Sequence, residues 1–529
     1  MRWFFLALGV TALVYGRAVA FGFVIDDTVL LEGSQRLARP GLLGQALVHD
    51  LFWLADGEIR PSPYWRPVVT LSYYFDQWIG GGSPASFHAT NLLLLAILAW
   101  VAGRTFTDPA SRLLVMAVVL LHPLQTEVAV HVSARTDLFA ALFGTLAVCS
   151  RSPWAIGWTL LALGSKEIAV VIPLLLWVVH RAQRRQTRTW QWHALIVLIW
   201  VGLREILVRS WNVAAEDQAL PNLGSLWESS SRIWMYLGRL VVPIDSTVAR
   251  SMPDITVVDG WIAWIGLVGL GWMLHRYAVW EPVEGASFDR SRALILVNRI
   301  PRIDGLGMFW ILLPLIPVTV LTSDIRYGEG LMCWSVVGLA RMLAALGLLR
   351  RVAWLAVLVG VWVSNSRVDD WSAEERLWRA AVTVHPNDPL AQIGLGKVIL
   401  ETNPTEAAEL FGDAAEGMDP GRVRREAQAG RAASLLKLGR EDEALDPLTE
   451  AAVIEDLESG WALRTLCVLK TTRTTDRQSA ETLEPICDAA LVHYPHDGEL
   501  WNSAGVVAVR IGQLDTARRR FLKAVELVP

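Results

Sequence analysis

Residues 501–524 read Trp-Asn-Ser-Ala-Gly-Val-Val-Ala-Val-Arg-Ile-Gly-Gln-Leu-Asp-Thr-Ala-Arg-Arg-Arg-Phe-Leu-Lys-Ala. Trp501, Ala504, Gly505, Ala508, Ala517, Phe521 and Ala524, followed by Pro529, fall in order on the positions of the tetratricopeptide repeat, a helix–turn–helix unit of roughly 34 residues. The small residues let two antiparallel helices approach closely, so that neighbouring units can stack. Upstream, Leu395, Gly396, Ala408, Ala415 and Pro420 keep the same frame, as do Leu435, Gly439, Ala444, Leu448 and Ala451. A looser unit runs from Trp461 to Pro495, with an insertion around Thr471–Gln478. Residues 366–529 are therefore expected to form an α-solenoid of about four repeats. Its concave groove would take a peptide or partner protein, the plainer alternative being a stabilising cap.

The rest of the chain is different in kind. Of the 529 residues 53% are hydrophobic and only 19% charged, below the usual share of about 25%. The excess is concentrated in residues 1–365, which carry one apolar stretch after another, so two regions are expected, one in lipid and one in water. A net charge of −4 gives no electrostatic support for nucleic-acid binding. The four cysteines show no CxxC pair and no His-linked metal spacing. Cys149 and Cys333 lie in apolar segments as small buried side chains, whereas Cys467 and Cys487 can pair if the soluble region is outside the cytoplasm. The start of the chain, ending at Ala18-Val-Ala20, has the look of a signal peptide, but the apolar stretches that follow favour a first transmembrane helix.

A helix needs about 20 mostly apolar residues to cross the hydrocarbon. Candidate spans are 3–20, 89–105, 112–122, 137–150, 153–164, 167–181, 193–209, 259–275, 306–321, 331–349 and 352–364. The stretch 233–244 is also apolar but is flanked and interrupted by Arg232 and Arg239. With the N-terminus inside and 233–244 not crossing, Arg104/Arg112, the run Arg181 to Arg188, the run Arg290 to Arg302 and Arg350-Arg351 all face the cytoplasm, as the positive-inside rule asks. The expectation is an all-α polytopic membrane protein of about eleven spans, its repeat domain extracytoplasmic. The loops 21–88, 122–136, 165–167, 210–258 and 322–330 then share the outer face.

Polar groups gather on that face. Phe21-Gly-Phe-Val-Ile-Asp26-Asp27 puts two carboxylates directly after the first span, where burial and a like charge can raise a pKa toward that of a general base. Tyr64-Trp65-Arg66-Pro67, Phe87-His88-Ala-Thr-Asn91, His122-Pro123-x3-Glu127, Arg135-Thr-Asp137, Ser165-Lys166-Glu167 and Asp324-Ile-Arg326-Tyr-Gly-Glu329 follow. Charge at membrane depth is costly and marks a site or a paired cluster. Each residue alone reads as a cap or an interface anchor; together, cations beside carboxylates suit a phosphate attached to a lipid.

This ordered set resembles the transmembrane and tetratricopeptide-repeat protein O-mannosyltransferases of the GT-C glycosyltransferase superfamily, and especially their bacterial relatives. The similarity includes the Asp26-Asp27 pair, Tyr64 to Pro67, Pro84 to Asn91, His122 to Glu127, Arg135 with Asp137, Ser165 to Glu167, and the linker Arg367…Trp371…Leu377-Trp378. The resemblance implies a polyprenyl-phosphate-linked sugar as donor, mannose by family, a protein Ser or Thr hydroxyl as acceptor, inversion at the anomeric carbon, no required metal, and a location in a bacterial inner membrane. It implies that Asp27 or Asp26 is the base, with Asp27 preferred. Arg66, Arg135, Lys166, His88, His122 and Arg326 would hold the donor phosphate, and Glu127, Asp137, Glu167 and Glu329 would support them. The sequence departs from the family where Glu-Arg-x-Leu-Tyr-x-Pro becomes Glu329-Gly330-Leu-Met-Cys333-Trp-Ser335, and where the His four positions after the Asn is Leu95. A membrane-anchored repeat scaffold without activity is the alternative; a transporter is disfavoured because no paired, glycine-broken spans are present.

Overall fold

The computed structural model describes residues 1–56, 61–150, 152–182, 188–211, 233–243, 250–251, 307, 309–315, 326–327, 332–345, 350–416, 421–453 and 459–527. The chain divides into two units, Met1–Leu377 and Trp378–Pro529. The division falls beyond the expected 365/366 because Val368, Trp371 and Leu377 are buried in the core of the first unit.

In the first unit, α1 (Arg2–Tyr15) runs on into a 3-10 turn at Gly16–Ala20. The short α2 (Asp26–Leu31) and α3 (Leu43–Ala46) lead to α4 (Pro67–Gly80) and α5 (Pro84–Gly103). There follow α6 (Pro109–Leu121), α7 (Gln125–Val130), α8 (Arg135–Cys149), α9 (Trp154–Leu163), α10 (Ile172–Ala182) and α11 (Trp190–Ser210). Proline opens α4, α5 and α6, where its missing N–H costs nothing and its fixed φ suits a first turn. The described part also includes two further helices, Cys333–Ala345 and Arg350–Val368, helical stretches at 233–241 and 309–315, and an antiparallel bridge pairing Arg250 with Tyr327 and Ser251 with Arg326.

Among the described residues, three helices are long and apolar enough to cross a membrane: Arg2–Ala20, Pro84–Gly103 and Trp190–Ser210. This is fewer than the eleven expected. Pro109–Leu121, Trp154–Leu163 and Cys333–Ala344 are apolar but short, and 259–275 with much of 306–321 lies outside the described residues. Burial separates the roles of the long helices. In Pro84–Gly103 61% of the apolar window is buried, which makes α5 a central helix; in Trp190–Ser210 only 17% is, leaving an apolar surface for lipid. Short helices are tolerated at membrane depth when they are buried in protein, and thirteen of the fifteen residues of α8 are buried.

The connector 122–136 carries a short helix of its own, and all six residues of α7 are buried. Helix α4 is amphipathic in an unusual sense: Val69, Tyr73 and Asp76 face inward, while Leu71, Phe75, Trp78 and Ile79 form an exposed apolar stripe.

The second unit contains four helix pairs: Pro389–Ile399 with Pro404–Glu416, Arg422–Lys437 with Glu441–Ala451, Gly460–Arg473 with Arg477–His493, and Gly498–Ile511 with Leu514–Leu527. Of the tetratricopeptide signature residues, Leu395, Gly396, Ala408, Ala415, Leu435, Ala444, Leu448, Ala451, Trp501, Ala504, Gly505, Ala508, Ala517, Phe521 and Ala524 lie on these helices. A Cβ on Gly505 would come 2.6 Å from the Phe521 ring, which is why glycine faces the aromatic of the second helix. Gly439 and Gly512, with φ of 71° and 86°, make the left-handed turns inside two of the pairs. Cys467 and Cys487 are disulfide-bonded across the third pair.

Candidate active site

The site begins at a strained residue. Ile25, immediately before the paired aspartates, has φ 51° and ψ −122°, the only positive φ at a non-glycine among the described residues. A β-branched side chain is poorly accommodated there, and such strain persists only where the surroundings enforce it. The enforcing contacts belong to Asp27. Its carboxylate is fully buried and accepts the backbone N–H of Val132 at 2.8 Å and of Ser133 at 2.7 Å, with His131 Nε2 at 3.5 Å. Asp27 thus ties the start of the chain to the approach of α8, 105 residues later. Asp26, by contrast, is exposed, and its carboxylate has no hydrogen bond or ion pair among the described residues.

Arg135, at the first position of α8, is buried with every nitrogen engaged. Nε donates to Asn91 Oδ1 at 2.7 Å, Nη2 to the Phe87 carbonyl at 2.8 Å and Nη1 to Ser72 Oγ at 3.1 Å, and Nη1 forms an ion pair with Asp76 Oδ2 at 2.5 Å. Asn91 in turn donates to the His131 carbonyl at 2.9 Å. Burial pushes the Asp76 carboxyl up, against the lowering effect of Arg135 and of Thr90, whose hydroxyl donates to it. Helices α4, α5 and α8 are therefore cross-braced through one guanidinium, which engages most of its N–H groups within the fold.

Two further ion pairs stand beside this brace. Lys166 Nζ lies 2.6 Å from Asp137 Oδ2, both side chains nearly buried, and Arg66 Nη2 lies 3.1 Å from Glu167 Oε2. Arg66 occupies the N-cap of α4 because Pro67 follows it, and its guanidinium lies over the Tyr64 ring, 4.6 Å from the centroid. Burial works against the Arg66 charge, but Glu167 and, more distantly, Asp137 outweigh it and raise its affinity for the proton. Arg66 Nε, Asp137 Oδ1, Glu167 Oε1 and the Tyr73 hydroxyl are buried without hydrogen-bond partners among the described residues. Unpaired buried polar atoms are rare in native proteins, so four of them in neighbouring side chains mark a place for a ligand.

Other expected residues are elsewhere engaged. His88 is buried with Nε2 3.3 Å from the Gly22 carbonyl, a contact that fixes the chain before Ile25. His122 is half-buried and places Nε2 3.0 Å from the Leu240 carbonyl while Nδ1 accepts from Leu124 N–H at 3.3 Å. Glu127 is buried on α7. Arg326 belongs to the two-residue bridge, whereas Glu329 and Gly330 lie outside the described residues. Of the departing positions, Cys333 and Ser335 are buried, with Ser335 Oγ donating to the Ile311 carbonyl at 2.9 Å. Leu95 is buried in the core.

Sequence reading missed Tyr73, Asp76, Ser72 and His131. The spacing of Ser72, Tyr73 and Asp76 within one helix was available, but nothing local says that a buried arginine from α8 meets it. The linker reaches the site as well: the Trp371 ring lies 5.2 Å from that of His131, Arg367 donates to the Pro123 carbonyl at 3.2 Å, and Arg17 pairs with Asp369 at 2.6 Å.

No family model matches the sequence. Protein O-mannosyl-transferase TMTC4 of Homo sapiens is 22% identical over 485 residues, covering 77% of this chain and 65% of the relative. Protein O-mannosyl-transferase TMTC1 of Mus musculus is 30% identical over 154 residues, covering 27% of this chain and 16% of the relative. TMTC3 of Homo sapiens is 25% identical over 173 residues, 31% of this chain and 19% of the relative. The chain thus spans less than two thirds of these relatives' lengths. Among solved structures, the crystal structure of MamA covers 32% of this chain and 94% of its own at 18% identity, with a TM-score of 0.25 that carries no argument. Over much of its length the chain is similar to the TMTC protein O-mannosyltransferases, the family its ordered motifs resemble.

Proposed function

We propose that this chain is a membrane glycosyltransferase of GT-C type, moving a sugar from a polyprenyl-phosphate donor to a protein Ser or Thr hydroxyl with inversion. The relatives' names point to mannose. The observation that carries the reading is the division of labour at the aspartate pair: Asp27 is consumed in anchoring, which frees the exposed Asp26 beside a cluster of buried cations. In this mechanism Asp26 accepts the proton of the acceptor hydroxyl as its oxygen attacks the anomeric carbon. The bond from that carbon to the phosphate oxygen breaks on the opposite face, and the electron pair leaves with the phosphate. Arg66 and Lys166 stabilise the departing negative charge, a task that preorganised cations perform without reorganising. Asp27 and Arg135 are positioning residues in this scheme, and Asp137 and Glu167 orient the cations and offer acceptors to sugar hydroxyls.

The exposed apolar stripe of α4 suits a helix lying in the membrane interface, which would bring Arg66 to the depth of a lipid phosphate. The boundary between a membrane domain and a repeat domain that captures the acceptor, the inner-membrane location and the extracytoplasmic repeats belong to the same proposal. The test is incubation of the purified protein and an acceptor with radiolabelled polyprenyl-phosphate sugars. Label appears on protein with the wild type and is lost with Asp26→Asn. Equal labelling by both would sink the assignment, and no labelling of any acceptor by the wild type would favour the scaffold alternative.

A further inference from the structure

Helix α4 carries a group that the mechanism above does not use. Tyr73 lies seven residues after the N-cap Arg66, two helical turns on, and therefore on the same side of the helix. Its ring is fully buried against Phe87, centroids 6.1 Å apart, with the Arg135 guanidinium 5.1 Å from its centroid. Those contacts fix where the phenol points. Its hydroxyl lies within electrostatic reach of Arg135, Asp27, Arg66 and Asp26 and finds no hydrogen-bond partner among the described residues.

Arg66 Nε is in the same condition. Two buried N–H and O–H donors without acceptors are an arrangement that native interiors avoid unless something else supplies the acceptor. A phosphate has several acceptor oxygens and prefers charged or polarised donors. We propose that the Tyr73 hydroxyl donates a hydrogen bond to the phosphate of the lipid-linked donor, beside Arg66, and that the pair forms the phosphate cradle. The inference rests on the reading of the protein as a lipid-phosphate sugar transferase and adds to it the residue that completes the cradle. Burial raises the phenol pKa further above its ordinary value, with Asp27 and Asp26 adding to the rise against Arg135 and Arg66, so Tyr73 keeps its proton as a donor must.

The test uses the full-length protein in lipid nanodiscs and polyprenyl monophosphate without sugar, which isolates the phosphate contact from the sugar. Tyr73→Phe keeps the ring and removes only the hydroxyl. It is expected to raise the Kd for the monophosphate, and the KM for the sugar-charged donor, by about tenfold or more, with kcat changed less. Asp26→Asn is expected to bind the monophosphate as the wild type does while losing transfer. Wild-type affinity in Tyr73→Phe overturns the proposal, whatever Asp26→Asn does. Full transfer by Asp26→Asn would defeat the catalytic reading and leave the binding result to decide Tyr73. Should Tyr73→Phe fail to fold, 3-fluorotyrosine at position 73 keeps ring and hydroxyl while making the phenol a stronger donor. A change in monophosphate Kd of about twofold or more then supports the contact, and an unchanged Kd refutes it.

Discussion

The separation of Asp26 from Asp27 makes the sharpest prediction, because the two side chains differ by one position and by everything else. In Asp27→Asn the carboxylate that accepts from Val132 at 2.8 Å and Ser133 at 2.7 Å is replaced by a group with one carbonyl oxygen and an NH2. One backbone N–H keeps an acceptor; the other faces a donor in a fully buried position. A hydrogen bond to a charged group is worth about 1.5–3 kcal/mol, and a stranded buried donor costs about 1–3 kcal/mol. The variant should lose on the order of 2–5 kcal/mol, part of it offset if the strain at Ile25 relaxes. With roughly 1.3 °C per kcal/mol for a unit of 377 residues, the apparent melting temperature should fall by about 3–6 °C. Asp26→Asn, at an exposed site without partners, should stay within about 0.5 kcal/mol of wild type. Removing a general base should nevertheless slow transfer by about 10²–10⁴-fold. The assay is tryptophan-fluorescence melting in detergent alongside radiolabel transfer. An Asp27→Asn protein that melts like the wild type yet transfers nothing, next to an active Asp26→Asn, would show the anchor and base to be exchanged.

The brace around Arg135 gives a second expectation. Arg135→Met leaves Asp76 buried and unpaired and should cost about 3–5 kcal/mol, read as lower yield and melting temperature, whereas Arg135→Met with Asp76→Leu should recover much of that loss. In the repeat unit, Gly505→Ala places a Cβ 2.6 Å from the Phe521 ring and should destabilise by about 1–3 kcal/mol, measured by urea melts monitored by circular dichroism. The disulfide between Cys467 and Cys487 closes a loop of 20 residues, so Cys467→Ser or reduction should remove about 3 kcal/mol from the same transition. The Asp497 carboxyl is pushed up by burial but held below its ordinary range by the Leu500 N–H and the Arg464 guanidinium. A depressed acid contributes stability that is present above its unfolded pKa of about 3.9 and vanishes as pH falls through the folded value. Arg464→Gln should therefore flatten the loss of stability below about pH 4, and an unchanged acid limb would argue against the pairing.

Much of this molecule is written locally. Proline at 67, 84 and 109 marks where helices begin, glycine at 439 and 512 where repeat turns reverse, and the ordered small and aromatic residues from 501 onward give the repeat, because each is a short-range constraint of backbone geometry or helix periodicity. Composition alone separates the apolar from the soluble region. What the sequence left open was which carboxylate of an adjacent pair is available and which cation is spent on the fold. Asp27 was the expected base and Arg135 an expected phosphate ligand, yet one is satisfied by N–H groups 105 and 106 positions away and the other by partners 44 to 63 positions away. Local pattern carries no information about such partners. Only packing brings α4, α5 and α8 together, and a buried charge must be paired by whatever packing supplies, so the tertiary structure, not the motif, decides which of these groups is tied into the fold.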